Sequence, residues 1–223
     1  AEDWGSDEAD RDGEVTLQIP EEQFRPWSPD RPFLYDLTVG TTQGQEEDFD
    51  RVHSYFALRK WETKPDARGV LRFFLNEKPI LLNGLLDQGY WPEGLYTPPS
   101  DAALVHELEQ VKELGFNLLR KHAKIEPQRW YYHCDKLGLI VWQDMVYGGA
   151  PLKQWYVTYL TNALLPLLRR TPDGKAFWGL LGRESKASRE EYGQELEATV
   201  DALRAHPCIG CWVPFNEGWG QFD

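Results

Sequence analysis

The chain has 223 residues, 41% hydrophobic and 13% aromatic, enough to bury a real core as one large domain or a small domain with part of another. Its 36 acidic against 24 basic residues give a net charge of −12, which argues against a nucleic-acid partner because that needs a basic face. No apolar run approaches the roughly 18 residues of a membrane-spanning helix, and no basic amphipathic stretch suggests a membrane surface.

In chain order, the first dozen residues are acidic and glycine-dotted and read as a frayed or truncated end. The chain opens at Ala1 without an initiator Met or a signal peptide, so the sequence assigns no compartment. It assigns no oligomeric state either. From Glu14 the pattern is β. Val15–Ile19 alternates, Phe33–Val39 follows a proline-rich turn, a polar loop covers Gly40–Asp50, and His53–Arg59 resumes. About three strands fall short of the roughly seven in a complete sandwich, so residues 1–66 read as the tail of a β-sandwich.

Beyond residue 66 the pattern changes. Phe73–Pro79 reads as a small hairpin and Ile80–Leu86 as a continuous apolar strand. Asp101–Leu114 has helical periodicity through Leu104, Leu108, Val111 and Leu114, and Gly115 stops it. Phe116–Arg120, Leu139–Asp144 and Cys208–Phe215 read as strands; Pro127–Leu137 and Ser188–Ala205 read as helices. Met145–Lys186 is long for a connection, and its apolar portion, Tyr156–Leu168, suggests an inserted helical lid or rim.

Alternating strands and helices imply parallel βαβ units. No G-x-G-x-x-G loop follows any strand, which weighs against a nucleotide-dependent enzyme, and nothing in the sequence calls for a cofactor. Three strands instead close on polar groups: Arg120-Lys121-His122, Gln143-Asp144 and Asn216-Glu217. Polar strand ends favour the first half of a (β/α)8 barrel over residues 67–223, since barrel enzymes place their chemistry there. Cys134, Cys208 and Cys211 are an odd number and suggest no disulfide framework. Cys208 and Cys211, an i, i+3 pair in a strand, point to opposite faces and read as buried thiols, with no metal site completed around them.

The segments Phe24–Tyr35, Phe74–Gly84, Gly115–Arg120 and His206–Glu217, taken in that order, resemble glycoside hydrolase family 2, whose members include β-galactosidases, β-glucuronidases and β-mannosidases. The resemblance implies that residues 1–66 are the tail of an immunoglobulin-like β-sandwich. It also implies hydrolysis of β-linked glycosides with retention of configuration through two carboxyl groups, on a carbohydrate substrate with β-galactoside foremost. It implies that Glu217 is the general acid and then the base, that Asn216 bonds the sugar 2-hydroxyl, and that Arg120 orients the active-site carboxylates. Asp144 lines the sugar subsite or is a buried structural partner of Arg120. His122, one position off the family's histidine, and Trp219 are carried over as substrate-side residues. Tyr90 and Trp91 either stack on sugar or pack their loop. The nucleophile belongs to a later strand, so it is expected outside this chain, and the isolated chain is expected to be inactive. The alternative is a non-catalytic carbohydrate-binding protein derived from a glycosidase.

Overall fold

The computed structural model of the chain describes residues 15–43, 46–160, 163, 174–218 and 220–222. Strands β1 (Tyr35–Gln43) and β2 (Glu46–Phe56) pair antiparallel, in one register from Tyr35↔Phe56 to Thr41↔Asp50 and with a shift before the last pair, Gln43↔Glu46. The stretch expected to loop from Gly40 to Asp50 is therefore the outer half of this ladder. Ladder bonds are made by the backbone, and Thr38, Val39 and Thr41 are residues that suit a pleated strand, so polarity does not prevent pairing. The expected strand Val15–Ile19 pairs with nothing described. Val15 is 47% exposed, and the prolines and a 3₁₀ turn at Glu21–Gln23 carry the chain away from any edge.

Strands β3 (Trp61–Pro65), β4 (Leu71–Leu75) and β5 (Lys78–Pro79) form a second antiparallel sheet. The β4–β5 turn has positive φ at both central residues, Asn76 (49°) and Glu77 (66°), the type I′ geometry that matches strand twist. The hairpin legible in the sequence is present; β3, its outer partner, was not anticipated.

The third sheet is parallel, with β6 (Gly84–Asp87), β7 (Leu118–Lys121), β8 (Ile140–Asp144) and β9 (Ile209–Val213) side by side in chain order. The expected strand from Ile80 is shortened to Gly84. The Asn117 side chain takes the place of ladder bonds there, accepting from the Asn83 N–H at 2.9 Å and donating to the Leu81 carbonyl at 2.8 Å. Helix α1 (Asp101–Glu113) is capped by Ser100 Oγ, which accepts from the Ala103 N–H, and buries Leu104, Leu108 and Val111 on one stripe. Helix α2 (Gln128–Leu137) ends at Gly138 in the left-handed conformation, φ 73°. Helix α3 spans Lys186–Leu203 behind a Ser185 cap. Of the expected lid, a π-helix at Trp155–Leu160 and a 3₁₀ turn at Lys175–Phe177 are described; most of Tyr156–Leu168 beyond Leu160 lies outside the described residues.

The core lies between the parallel sheet and α1 and α2, around Trp130, Leu139, Ile140, Val141 and Cys208. Trp27 enters it from the N-terminal part, fully buried, and donates from Nε1 to the Asp135 carbonyl at 2.8 Å. The buried Asp135 carboxylate in turn accepts from the Tyr55 hydroxyl at 2.7 Å and the Cys208 N–H at 2.8 Å, and lies 2.7 Å from His206 Nδ1. One carboxylate thus joins β2, α2 and the entry to β9. Cys134 and Cys208 are buried and Cys211 partly so; none is in a disulfide, and burial pushes the Cys134 and Cys208 thiols up.

Candidate functional site

Along a strand successive side chains face opposite ways, so Arg120 and Lys121 part company. Arg120, Trp142 and Asp144 share the sheet face away from the helices, with Arg120 level with Trp142 and Trp142 level with Cys211. Lys121 and Gln143 turn toward the helices and are buried.

On the first face, Arg120 meets Asp144 as a fork, Nε to Oδ1 at 2.9 Å and Nη2 to Oδ2 at 3.0 Å, and Nη2 also donates to Asn216 Oδ1 at 2.7 Å. The Asp144 side chain is 0% exposed and that of Arg120 29%. Hydrogen bonding to Asp144, then the charges of Asp144 and Glu217, raise the Arg120 pKa above the ordinary arginine value against the opposing effect of burial. The guanidinium is a fixed cation that spans β7, β8 and the turn beyond β9. Glu217 is exposed in that turn, Asn216–Gly218, with φ 54°, a left-handed conformation that costs a non-glycine residue about 1–3 kcal/mol. Helix α3 holds the strand exit: the Tyr192 hydroxyl donates to the Pro214 carbonyl, and its ring stacks on Phe215 at 5.3 Å.

Arg120, Asp144, Asn216 and Glu217 are therefore brought together at the C-terminal strand ends. His122 stands apart, donating its backbone N–H to the Asp87 carbonyl at 2.8 Å with its ring 3.0 Å from Gln88. Trp219 lies outside the described residues. Tyr90, 59% exposed on the β6–α1 loop, is paired with Tyr96 at 4.7 Å between ring centroids, while Trp91 is only partly exposed. Tyr96, which the sequence reading passed over, thus gives Tyr90 an exposed aromatic partner.

Behind the strand ends lies a second charged cluster. Lys121 bonds Asp87 at 2.5 Å and Glu126 at 3.0 Å, and Lys124 reaches Glu126 at 2.8 Å. Gln143 accepts from Tyr131 at 2.6 Å and donates to the Lys124 carbonyl at 2.8 Å. These groups are sealed from solvent and support the loops rather than open to a ligand. Among the described residues no group of three or more His, Cys, Asp or Glu could hold a metal ion, and no helix is long and apolar enough to cross a membrane. A groove of about 1290 Å³ lies at the opposite end, lined by Phe24, Phe33, Asn76, Ile80 and Asn117. It holds none of the four clustered residues, and in parallel α/β folds ligands bind beyond the carboxyl ends of the strands.

The chain is similar to known glycosidases. A β-galactosidase of Leuconostoc mesenteroides is 29% identical over 215 residues, covering 94% of this chain and 17% of that protein. A β-galactosidase of Enterobacter cloacae is 29% identical over 203 residues, 91% of this chain and 17% of that protein. Among solved structures, a Parabacteroides merdae β-glucuronidase matches with a TM-score of 0.61 at 18% identity, over 89% of this chain and 21% of that one. A GH2 β-galacturonidase from Eisenbergiella tayi, bound to galacturonate, matches with a TM-score of 0.61 at 20% identity, over 90% of this chain and 30% of that one. No family model matches. The resemblance to glycosidases thus extends over most of the chain, which spans about a sixth of the length of these curated relatives. The structural likeness is one of fold, an α/β arrangement on a parallel sheet.

Proposed function

We propose that these residues belong to a retaining β-glycosidase, with β-galactosides the first substrate class and β-glucuronides and β-mannosides behind it. The observation that carries this reading is the Arg120 fork to Asp144 and Asn216 at the ends of parallel strands, with Glu217 beside it. Residues 67–223 are the first half of a (β/α)8 barrel; four parallel strands in unbroken chain order support that winding over a doubly wound sheet, whose order reverses. Residues 1–66 are the tail of an immunoglobulin-like sandwich, for which the long β1–β2 hairpin is the support.

In this reading the exposed Glu217 protonates the leaving glycosidic oxygen and then deprotonates the incoming water. Asn216 keeps its carbonyl oxygen on Arg120, leaving its amide N–H groups directed to a sugar hydroxyl. Asp144 is fully engaged by Arg120 and buried, so it orients the guanidinium rather than attacking. A retaining reaction needs a second carboxylate about 5–5.5 Å from the first, and we assign that nucleophile to residues outside these 223.

The test is turnover of an aryl β-galactoside by the protein as its gene encodes it, with product configuration followed by NMR. Hydrolysis with retention, reduced roughly 10²–10⁴-fold by Glu217→Gln, is the expected result. Saturable sugar binding without turnover, unchanged in Glu217→Gln, would replace this reading with a non-catalytic carbohydrate-binding protein.

A further inference from the structure

The long connection between β8 and α3 folds back on itself. Ala150 N–H donates to the Gly182 carbonyl at 3.0 Å, Lys153 N–H to the Leu180 carbonyl at 3.0 Å, and the Tyr147 hydroxyl to the Leu181 carbonyl at 2.9 Å. That clasp delivers Arg183 to the underside of the loop beyond β9. Arg183 is 0% exposed, and its Nε donates to the Gly220 carbonyl at 3.0 Å. Among the described residues Nη1 and Nη2 have no hydrogen-bond acceptor. Four rings surround the guanidinium carbon instead: Tyr192 at 4.3 Å, Tyr147 at 4.7 Å, Phe222 at 5.5 Å and Phe215 at 5.9 Å.

A buried cation without an anion is uncommon, and aromatic faces supply the negative potential that makes it tolerable. The placement of those contacts along the chain is informative. Phe215 precedes Glu217 by two residues, while Gly220 and Phe222 follow it, so one guanidinium grips both arms of the turn that carries the left-handed Glu217. The approach is close by design of the backbone. Gly220 has φ 72°, and a Cβ there would stand 3.0 Å from Tyr147 Cε2 and 3.1 Å from Arg183 Nε. A residue in a sparsely populated conformation persists only where its surroundings over-determine it.

We infer that Arg183 is a positioning residue for Glu217: by bonding Gly220 and binding the rings of Phe215 and Phe222, it fixes the direction of the Glu217 carboxyl. The inference rests on the acid/base role proposed above. Loss of the grip lets the turn relax and misdirects the proton, while the Arg120 fork and the sugar contact assigned to Asn216 remain. The defect is therefore specific to substrates whose leaving group needs protonation.

The experiment compares kcat/KM for phenyl and 2,4-dinitrophenyl β-galactosides in the full-length protein, its Arg183→Met and Glu217→Gln variants. Met fills the ring-lined space without charge or donor. The expected result for Arg183→Met is a loss of more than about tenfold on the phenyl substrate and less than about threefold on the dinitrophenyl one, a muted copy of Glu217→Gln. Equal losses on both substrates, or none, in Arg183→Met beside a strongly selective Glu217→Gln overturn the inference alone. A Glu217→Gln variant without selectivity overturns the acid assignment and the inference with it. Should Arg183→Met not fold, Gly220→Ala, which pushes on Arg183 Nε from the other side, is held to the same selectivity.

Discussion

Arg120 acts through the shape of its side chain. A guanidinium can bond two oxygens of Asp144 and one of Asn216 at once, whereas an ammonium is a point charge that satisfies one geometry at a time. Arg120→Lys is expected to lower kcat/KM by roughly 10²-fold, because small misplacements of reacting groups are costly. Its unfolding free energy from urea titration should fall little, by about 1 kcal/mol, since the pair keeps its charges. A loss of stability matching the loss of activity would show instead that the fork only holds the fold. On the far side of the molecule, Glu77 is pulled down to about 2 by hydrogen bonds from Lys60 and Lys64. A depressed carboxylate favours the folded state above its ordinary pKa and loses that advantage as the pH falls through the depressed value. Glu77→Gln should therefore melt below the parent protein at neutral pH and converge with it between pH 4.5 and about 2 in scanning calorimetry. The grouping of Arg120, Asp144, Asn216 and Glu217 was legible because each follows an apolar run at or just past a strand's end, a local signal. Lys121 sits beside Arg120, yet its partners Asp87 and Glu126 come from two other segments, and Arg183 finds its rings on three. No spacing in the sequence announces such meetings.

The helices and the apolar strands of the parallel sheet could be read because their signals are periodic and carried within each segment. The misreadings share another cause: strand pairing is a property of two segments. Val15–Ile19 alternates as well as many strands but finds no partner among the described residues, while the polar stretch after Gly40 pairs because β2 lies beside it. The start of β6 is displaced by a side chain, Asn117, reaching across from the next strand. Asp135 shows what such cross-element groups hold in place. Its carboxylate accepts from Tyr55 of β2 and from the Cys208 N–H before β9, with His206 also in reach. Asp135→Asn turns one acceptor into a donor facing these groups and leaves a buried donor unmatched, at a cost of about 2–4 kcal/mol. Urea unfolding followed by tryptophan fluorescence reads this directly, because Trp27 is buried against the Asp135 backbone. A change below about 0.5 kcal/mol, the range of ordinary surface substitutions, would mean that the three elements are held together elsewhere.

At the scale of the whole molecule, the described residues cover one face of the parallel sheet more fully than the other. Helices α1 and α2 bury Leu119 and Val141, while on the opposite side Leu86 is 57% exposed and the Phe73 ring of β4 lies against Trp142 at 6.0 Å; Leu81, just before β6, is 82% exposed. Trp142 and Cys211 of that face are only partly buried. Parallel sheets are almost always covered on both faces, and among the described residues β6 and β9 each carry one unpaired edge. In a closed barrel both edges pair and the inner face becomes a packed interior. The 223-residue polypeptide expressed alone should therefore associate through these surfaces, and it should hydrolyse no aryl β-galactoside above the rate of its Glu217→Gln variant. Light scattering at graded concentrations and a chromogenic assay check the two halves of that expectation. A monomer with turnover lost in Glu217→Gln would mean that these residues hold a complete pair of catalytic carboxylates, and the half-barrel reading would fall. Associated and inactive material is the outcome the exposed sheet predicts. In the half-barrel reading a coexpressed second half should restore both solubility and Glu217-dependent turnover, because it would cover the edges and supply the nucleophile together.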